Sequence, residues 1–234
     1  MDKAHRIFAL RLHDYLLSKS LGNHVAGSSV ICVFSNKGGS GKTTVAVHLA
    51  LAYAQLARTV LLDVDPQGTA TEWLKRRPAD AKAPLVVPCP GREATQRALK
   101  LAREEAVKMV VMDLPPHSSA QIAWLLAEAD LILVPTRPTA ADLVTLKQTV
   151  DLVHASKRKA GFVLNAFRPQ LVEAKEIAPI LAGYALPVIG LLGDRIAYSR
   201  GLPAGLGGHE LGDPQAEEEV MKLAKKVMTA RNQL

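Results

Sequence analysis

Short apolar runs alternate along this chain with longer stretches whose apolar positions recur at helical spacing. Val30–Ser35 is a β-branched run, and Thr43–Leu56 behind it reads as a helix. The alternation then repeats. Strands are predicted at Thr59–Asp63, Leu85–Pro88, Met109–Asp113, Leu131–Pro135, Gly161–Asn165 and Pro187–Leu191. Helices are predicted at Ala70–Arg77, Arg92–Glu105, Ser119–Ala127, Ala140–Ser156, Val172–Ala182 and Gln215–Thr229. Strands that are continuously apolar and alternate with helices belong to a parallel sheet covered on both faces. The pattern therefore predicts an α/β fold: a doubly wound, mostly parallel sheet with helices on both faces. Residues 1–29 stand apart. Ile7, Leu10, Arg11, Asp14, Leu17 and Leu21 fall near helical spacing, and Gly22-Asn23 and Gly27-Ser28-Ser29 then break the chain. We read a helical extension and turn over 1–29, and a single domain over 30–234.

Composition narrows the picture. The chain of 234 residues is 48% hydrophobic but only 4% aromatic, so its core is built from Ala, Val, Leu and Ile. That content excludes broad disorder. Lys plus Arg number 29 against 22 acidic residues, a net charge of +7. A polyanion partner is compatible with this balance but not required by it. The two cysteines, Cys32 and Cys89, cannot build a disulfide framework or a four-thiolate metal site. The start is charged throughout and lacks the apolar core of a signal peptide, and no apolar run reaches the ~18 residues of a membrane span. A cytoplasmic protein is expected.

The chemistry concentrates after the first strand, in Val33-Phe34-Ser35-Asn36-Lys37-Gly38-Gly39-Ser40-Gly41-Lys42-Thr43-Thr44. Glycines between a strand and a helix let successive N–H groups face an anion, and the helix N-terminus adds partial positive charge. Lys42 is placed to reach β- and γ-phosphates, and the Thr43 hydroxyl to ligate Mg²⁺. Asn36 stands where the usual phosphate loop has Gly, and Lys37 follows it. The second strand ends in Asp63-Val64-Asp65-Pro66-Gln67-Gly68, and its C-terminal end is expected beside the first strand's phosphate loop. Two carboxylates there can orient water or help hold a hydrated cation. Met109–Asp113 is an apolar strand ending in a carboxylate, followed by Leu114-Pro115-Pro116, which fits a magnesium-holding Asp.

The Lys-Gly-Gly-x-Gly-Lys-Thr loop, the Asp-x-Asp-Pro-Gln box and the Asp-x-Pro-Pro box occur in order. Together they resemble the deviant Walker A ATPases of the ParA/MinD group, with greatest likeness to small ParA (ParF-like) partition proteins. The resemblance covers roughly residues 30–230. It implies ATP and Mg²⁺ as cofactors, with Gly38, Gly39, Ser40, Gly41, Lys42, Thr43 and Thr44 on the nucleotide and Thr43, Asp63 and Asp113 around the metal. Lys37 is then the signature lysine, reaching the partner subunit's nucleotide in an ATP-sandwich homodimer. A cation there can stabilise charge developing on the transferred phosphoryl group. Asp65 positions the attacking water, and Asn165 at a later strand end binds the adenine amino group.

The resemblance further implies slow, partner-stimulated ATP hydrolysis, a ParB-like adaptor, and nonspecific DNA binding by the ATP-state dimer on the nucleoid. Candidate DNA contacts are Lys157, Arg158, Lys159, Arg168, Arg195 and Arg200. Segregation of plasmid or chromosomal DNA is the first reading. A ParA-like positioning ATPase for a protein cargo, such as a chemoreceptor cluster, a carboxysome or conjugation machinery, is the second. A nucleotide-switched DNA-binding autorepressor is the third. The last helix has an apolar stripe of Val220, Leu223, Ala224, Val227 and Met228. It lacks Phe and Trp, so it is read as a docked helix rather than a membrane anchor.

Overall fold

The computed structural model describes residues 28–81, 83–116, 120–170 and 172–233. Apart from Ser28 and Ser29, the expected N-terminal extension lies outside the described residues, as does Ser119 at the start of one predicted helix. Seven strands form one sheet: β1 (Ser29–Val33), β2 (Thr59–Asp63), β3 (Leu85–Pro88), β4 (Met109–Asp113), β5 (Leu131–Thr136), β6 (Ala160–Phe167) and β7 (Val188–Gly193). Their order is β3-β2-β4-β1-β5-β6-β7, and every pair is parallel. Among the described residues eight α-helices cover it: α1 (Lys42–Ala54), α2 (Thr69–Lys75), α3 (Arg92–Glu104), α4 (Ala120–Ala127), α5 (Ala140–Ala155), α6 (Val172–Ala182), α7 (Ile196–Gly201) and α8 (Pro214–Gln233).

Both faces of the sheet are buried, which explains the unbroken apolar runs. Alternate β1 residues enter different cores. Val30 and Cys32 pack with residues of α3, α4, α5 and α6 on one face. Ile31 and Val33 pack with α1, α2, α7 and α8 on the other. Few aromatics serve each core (Phe34 and Phe162 on one face, Tyr53, Trp73 and Tyr198 on the other), and some helix contacts rely on small residues. Gly190 in β7 is one such contact, because a Cβ there would stand 2.6 Å from Leu223 Cδ1 of α8.

One expectation is corrected. The end of β2 is not next to β1: β4 lies between them, with Val33 in register with Asp113 and Asp63 in register with Asp113. Asp113 is therefore the carboxylate nearest the phosphate loop's own strand. The sequence cannot show this, because strand order is set by how the crossover helices pack, not by chain order. The glycine-rich stretch after β7, for which the pattern predicts no element, folds into α7 and two 3₁₀ turns at Leu202–Ala204 and Gly208–Leu211. Tertiary bonds hold it. Arg77 forms a fork with both carboxylate oxygens of Glu210 (2.8 and 2.6 Å) and also donates to the Gly205 carbonyl (3.0 Å).

Candidate functional site

In an all-parallel sheet the C-terminal strand ends share one edge. Ser35–Gly41 leaves β1 at that edge and turns into α1, so the loop's N–H groups gather at a helix N-terminus. The backbone requires glycine at one point above all. Gly41 caps α1 in the left-handed region at φ 100°, and a Cβ there would sit 2.0 Å from Asn165 Nδ2. Asn165, near the end of β6, donates to the Ser40 carbonyl (3.1 Å) and so braces the loop from the side. Gly38 and Gly39 are exposed, and nothing lies within 4 Å of a Cβ built on either.

Lys42 is 7% exposed and donates to the Lys37 carbonyl (3.1 Å), which closes the loop around its ammonium. Burial pushes its pKa down, against the opposing pull of Asp113 and Asp65. The Thr43 hydroxyl donates to Asp113 Oδ2 (2.7 Å). The other oxygen of Asp113, Oδ1, is buried with no partner, as are Asp63 Oδ1 and Ser40 Oγ. Burial pushes Asp113 up to about 7, with a further push from Asp63 and an opposing pull from the Thr43 hydrogen bond. Asp63 is also raised, chiefly by burial, although its Oδ2 accepts from the Thr71 N–H (2.7 Å) and hydroxyl (2.6 Å). Asp65 differs. It is half-buried, and its Oδ1 accepts the Gln67 N–H (2.9 Å) in an Asx turn.

Buried polar atoms without partners cost free energy unless something meets them. Three lie together at the mouth of this loop, beside a desolvated ammonium and a desolvated carboxylate. A polyphosphate with a divalent cation would satisfy all of them and would favour the charged forms of Lys42 and Asp113. The donor set fits magnesium in particular. Among the described residues no group of three or more His, Cys, Asp or Glu is arranged to hold a metal ion. A cation here would rest on one hydroxyl and one or two carboxylates and take its remaining oxygens from phosphate and water, which is how Mg²⁺ is usually held.

Lys37 points away from this cluster. Its ammonium pairs with Asp142 Oδ1 (3.1 Å) at the start of α5. Asp142 is buried, and its Oδ2 accepts the hydroxyl proton of Thr139, the residue that caps α5. The flanking Asn36 is fixed to the same helix, its N–H on Thr149 Oγ1 and its Nδ2 on Gln148 Oε1, both 3.0 Å. Asp142 and Thr71 went unrecognised in the sequence. Thr139-Ala140-Ala141-Asp142 does read as a helix-capping box, but nothing local announces the lysine 105 positions earlier. His48 was also missed. Its Nε2 accepts the Gly208 N–H (2.8 Å), which leaves Nδ1 to donate to the Thr44 carbonyl (2.7 Å). Burial pushes it down to about 4.

The six basic candidates do not form one patch. Lys157, Arg158 and Lys159 precede β6 at the N-terminal edge of the sheet, whereas Arg168 follows β6 at the opposite edge. Arg168 is paired with Asp194. Arg195 is held by Glu219 (2.7 Å) and Gln215 (2.6 Å). Arg200 is exposed at the end of α7.

Comparison with known proteins adds three findings. The family model described as the CobQ/CobB/MinD/ParA nucleotide binding domain matches residues 31–204. The chain is 28% identical over 207 residues to "Maintenance of carboxysome distribution protein A" of Halothiobacillus neapolitanus, covering 85% of this chain and 95% of that protein. It is 41% identical over 123 residues to the protein of the same name from Gloeobacter kilaueensis, covering 52% of this chain and 55% of that one. Among solved structures, an ATP complex of McdA from Cyanothece superposes with a TM-score of 0.74 at 17% identity, covering 87% of this chain and 97% of that chain. At that identity the likeness speaks for the fold. No helix among the described residues is long and apolar enough to cross a membrane.

Proposed function

The chain belongs to the CobQ/CobB/MinD/ParA nucleotide-binding family as a ParA/MinD-type ATPase, and we propose that it is a positioning ATPase that pairs with a second copy in the ATP state and uses DNA as its track. The observation that carries this reading is the division of labour between the two lysines of the loop. Lys42 is buried within the site and turned onto it. Lys37 stands at the rim on Asp142, outside the ring of groups that would hold phosphate. A rim cation is of use to a nucleotide on an apposed subunit, where it stabilises charge developing on the phosphoryl group.

Within one subunit, Gly38–Gly41 and Thr44 would bind phosphate through the backbone, and Lys42 would neutralise it. Thr43 and Asp113, backed by Asp63, would hold Mg²⁺, which when bound draws charge from the terminal phosphate. Asn165 would offer its free carbonyl oxygen to the adenine amino group while its NH₂ braces Ser40. Asp65 would orient the attacking water. Its carboxylate is engaged with Gln67 N–H in the present conformation, so turnover waits until the 64–68 turn is reset. Slow basal hydrolysis, accelerated by the second subunit and an adaptor protein, is the expected consequence on this reading.

Two relatives whose names refer to carboxysome distribution, one covering 85% of this chain, favour a protein body as the cargo. Plasmid or chromosome partition with a ParB-like adaptor is the second reading, carried by the order and form of the three boxes. The test is the oligomeric state and DNA binding of the Asp65→Ala protein with ATP against ADP. An ATP-dependent dimer that binds duplex DNA regardless of sequence is expected. A monomer in both nucleotide states would overturn the proposal.

A further inference from the structure

The segment 202–211 joins two helices that both begin at the nucleotide edge. α2 opens at Gly68, which is left-handed at φ 64° and whose N–H closes the Asp65 turn onto the Asp65 carbonyl (2.9 Å). The first turn of α2 also supplies Thr71, the holder of Asp63. The far end of α2 is fastened to 202–211. Trp73 Nε1 donates to the Leu206 carbonyl (3.3 Å), and the Arg77 guanidinium reaches the Gly205 carbonyl and forks onto Glu210. That guanidinium lies 5.0 Å from the centre of the Trp73 ring, so the ring helps to hold the fork in place. The backbones touch as well: Gly205 is left-handed at φ 73°, and a Cβ on it would stand 2.4 Å from the Arg76 carbonyl carbon. On its other side the segment is fastened to α1. There the Gly208 N–H meets His48, whose Nδ1 holds the Thr44 carbonyl.

α2 is thus clamped at both ends. Its seven residues span only about 10 Å, so a shift at Arg77 passes to the 64–68 turn with little loss. In the present arrangement the Asp65 carboxylate is engaged with the Gln67 N–H. Resetting that turn moves Gln67 and Gly68, and Gly68 is the cap of α2, so the first turn of the helix moves with it. One clamp must then yield. Breaking the Thr71 clamp would strand the second oxygen of Asp63, whose first is already buried without a partner. The Arg77 clamp yields at lower cost, because Glu210 is exposed and water can replace the bonds it loses.

We infer that Arg77 and Glu210 are positioning residues for hydrolysis: their fork holds α2, and with it the Asp65 turn, in the resting arrangement, and opening the fork precedes the release of Asp65 to orient water. This rests on the role given to Asp65 above. The two arrangements of the turn, Asp65 on the Gln67 N–H or Asp65 free, are the states that the fork biases. A pair that merely supports the fold would lower turnover when loosened. A pair that restrains the turn raises it. The effect falls on the hydrolytic step and not on nucleotide affinity, because the His48 tie to Thr44 is separate from the fork and stays in place when the fork opens.

The experiment measures steady-state ATP hydrolysis by the full chain carrying Glu210→Gln, which keeps the size of the side chain and removes the charge that the fork needs. Arg77→Lys, which keeps the cation and gives up the fork, is the second variant and carries the test if the first does not fold. Each should raise basal kcat about 5- to 10-fold, with KM for ATP within about 2-fold of the wild type. Amide hydrogen exchange should be about 5- to 10-fold faster at Gln67 and Gly68 and unchanged in β2, which shows that the fold stands. A kcat that is unchanged or lowered overturns the inference, as does wild-type exchange at Gln67 and Gly68. Asp65→Ala separates this result from the reading beneath it. Added to Glu210→Gln, it should abolish the gain. If Asp65→Ala alone hydrolyses ATP at the wild-type rate, the role of Asp65 fails and the restraint with it. If Asp65→Ala is inactive while Glu210→Gln leaves kcat unchanged, the restraint alone fails.

Discussion

The two edges of the sheet treat charge in opposite ways. At the C-terminal edge, Lys42, Asp63 and Asp113 are buried, crowded and short of partners. At the N-terminal edge, Lys157 and Arg158 stand in solvent. Solvated cations cost the fold almost nothing and can wait for a polyanion. Buried charges are a strain on the fold, tolerable because a ligand relieves it. One edge gathers buried charges around a small-anion site, whereas the other leaves its cations to the solvent.

The contrast can be broken by substitution, with the greatest effect at the buried edge. Lys42→Ala should lower phosphate release from ATP about 100- to 1,000-fold, as loss of a preorganised charge-stabilising donor does. Arg77→Ala extends the rule to a buried guanidinium away from the nucleotide. It removes the fork to Glu210 and the tie to Gly205, so chemical denaturation should show a loss of about 2 kcal/mol.

A pH series on the nucleotide-free protein sharpens the comparison further. Asp113, held up at about 7 by burial, keeps in the folded state a proton that the unfolded chain releases. Its contribution is full below about pH 4 and is lost as pH rises through about 7. His48, held down at about 4 by burial, acts the other way: its contribution is full above the ordinary histidine pKa and is lost as pH falls toward 4. The two slopes oppose each other between these limits and flatten the wild-type curve. Asp113→Asn should therefore raise Tm above pH 7, with a gain in stability of up to about 4 kcal/mol. It should also expose a steady acid-side decline due to His48, while ending magnesium-dependent stabilisation by ATP. A variant no more stable than the wild type above pH 7 would deny the buried Asp113 carboxylate its assigned strain, and a variant whose Tm does not rise between about pH 4.5 and 6.5 would deny His48 its burial penalty. Lys147→Ala, which opens the exposed Lys147–Asp151 pair (2.7 Å), should change stability by less than ~0.5 kcal/mol.

Much of this was readable beforehand where the signal is local. Each predicted strand between Val30 and Leu191 exists, because a strand buried on both faces must be apolar throughout. The loop from Asn36 to Thr44 was legible because only glycine suits its turns, as the left-handed Gly41 against Asn165 shows. What escaped was non-local. α7 and the two 3₁₀ turns have weak intrinsic periodicity and are held by Arg77 and His48, 128 or more positions away in the chain. Asp142 could be read as a helix cap but not as the holder of Lys37.

The sequence by itself determined the kind of sheet, the nucleotide loop and the identity of its chemical groups, since periodicity, glycine placement and residue type act over a few neighbouring positions. Only the tertiary structure decided which groups share an environment. It put β4 between β1 and β2, so that Asp113 rather than Asp63 meets Thr43. It divided the basic residues between the two sheet edges and joined the Lys157–Lys159 turn to the end of α8. Those outcomes depend on how helices pack across the sheet and on which charges that packing removes from water, and neither is encoded in a local stretch of the chain.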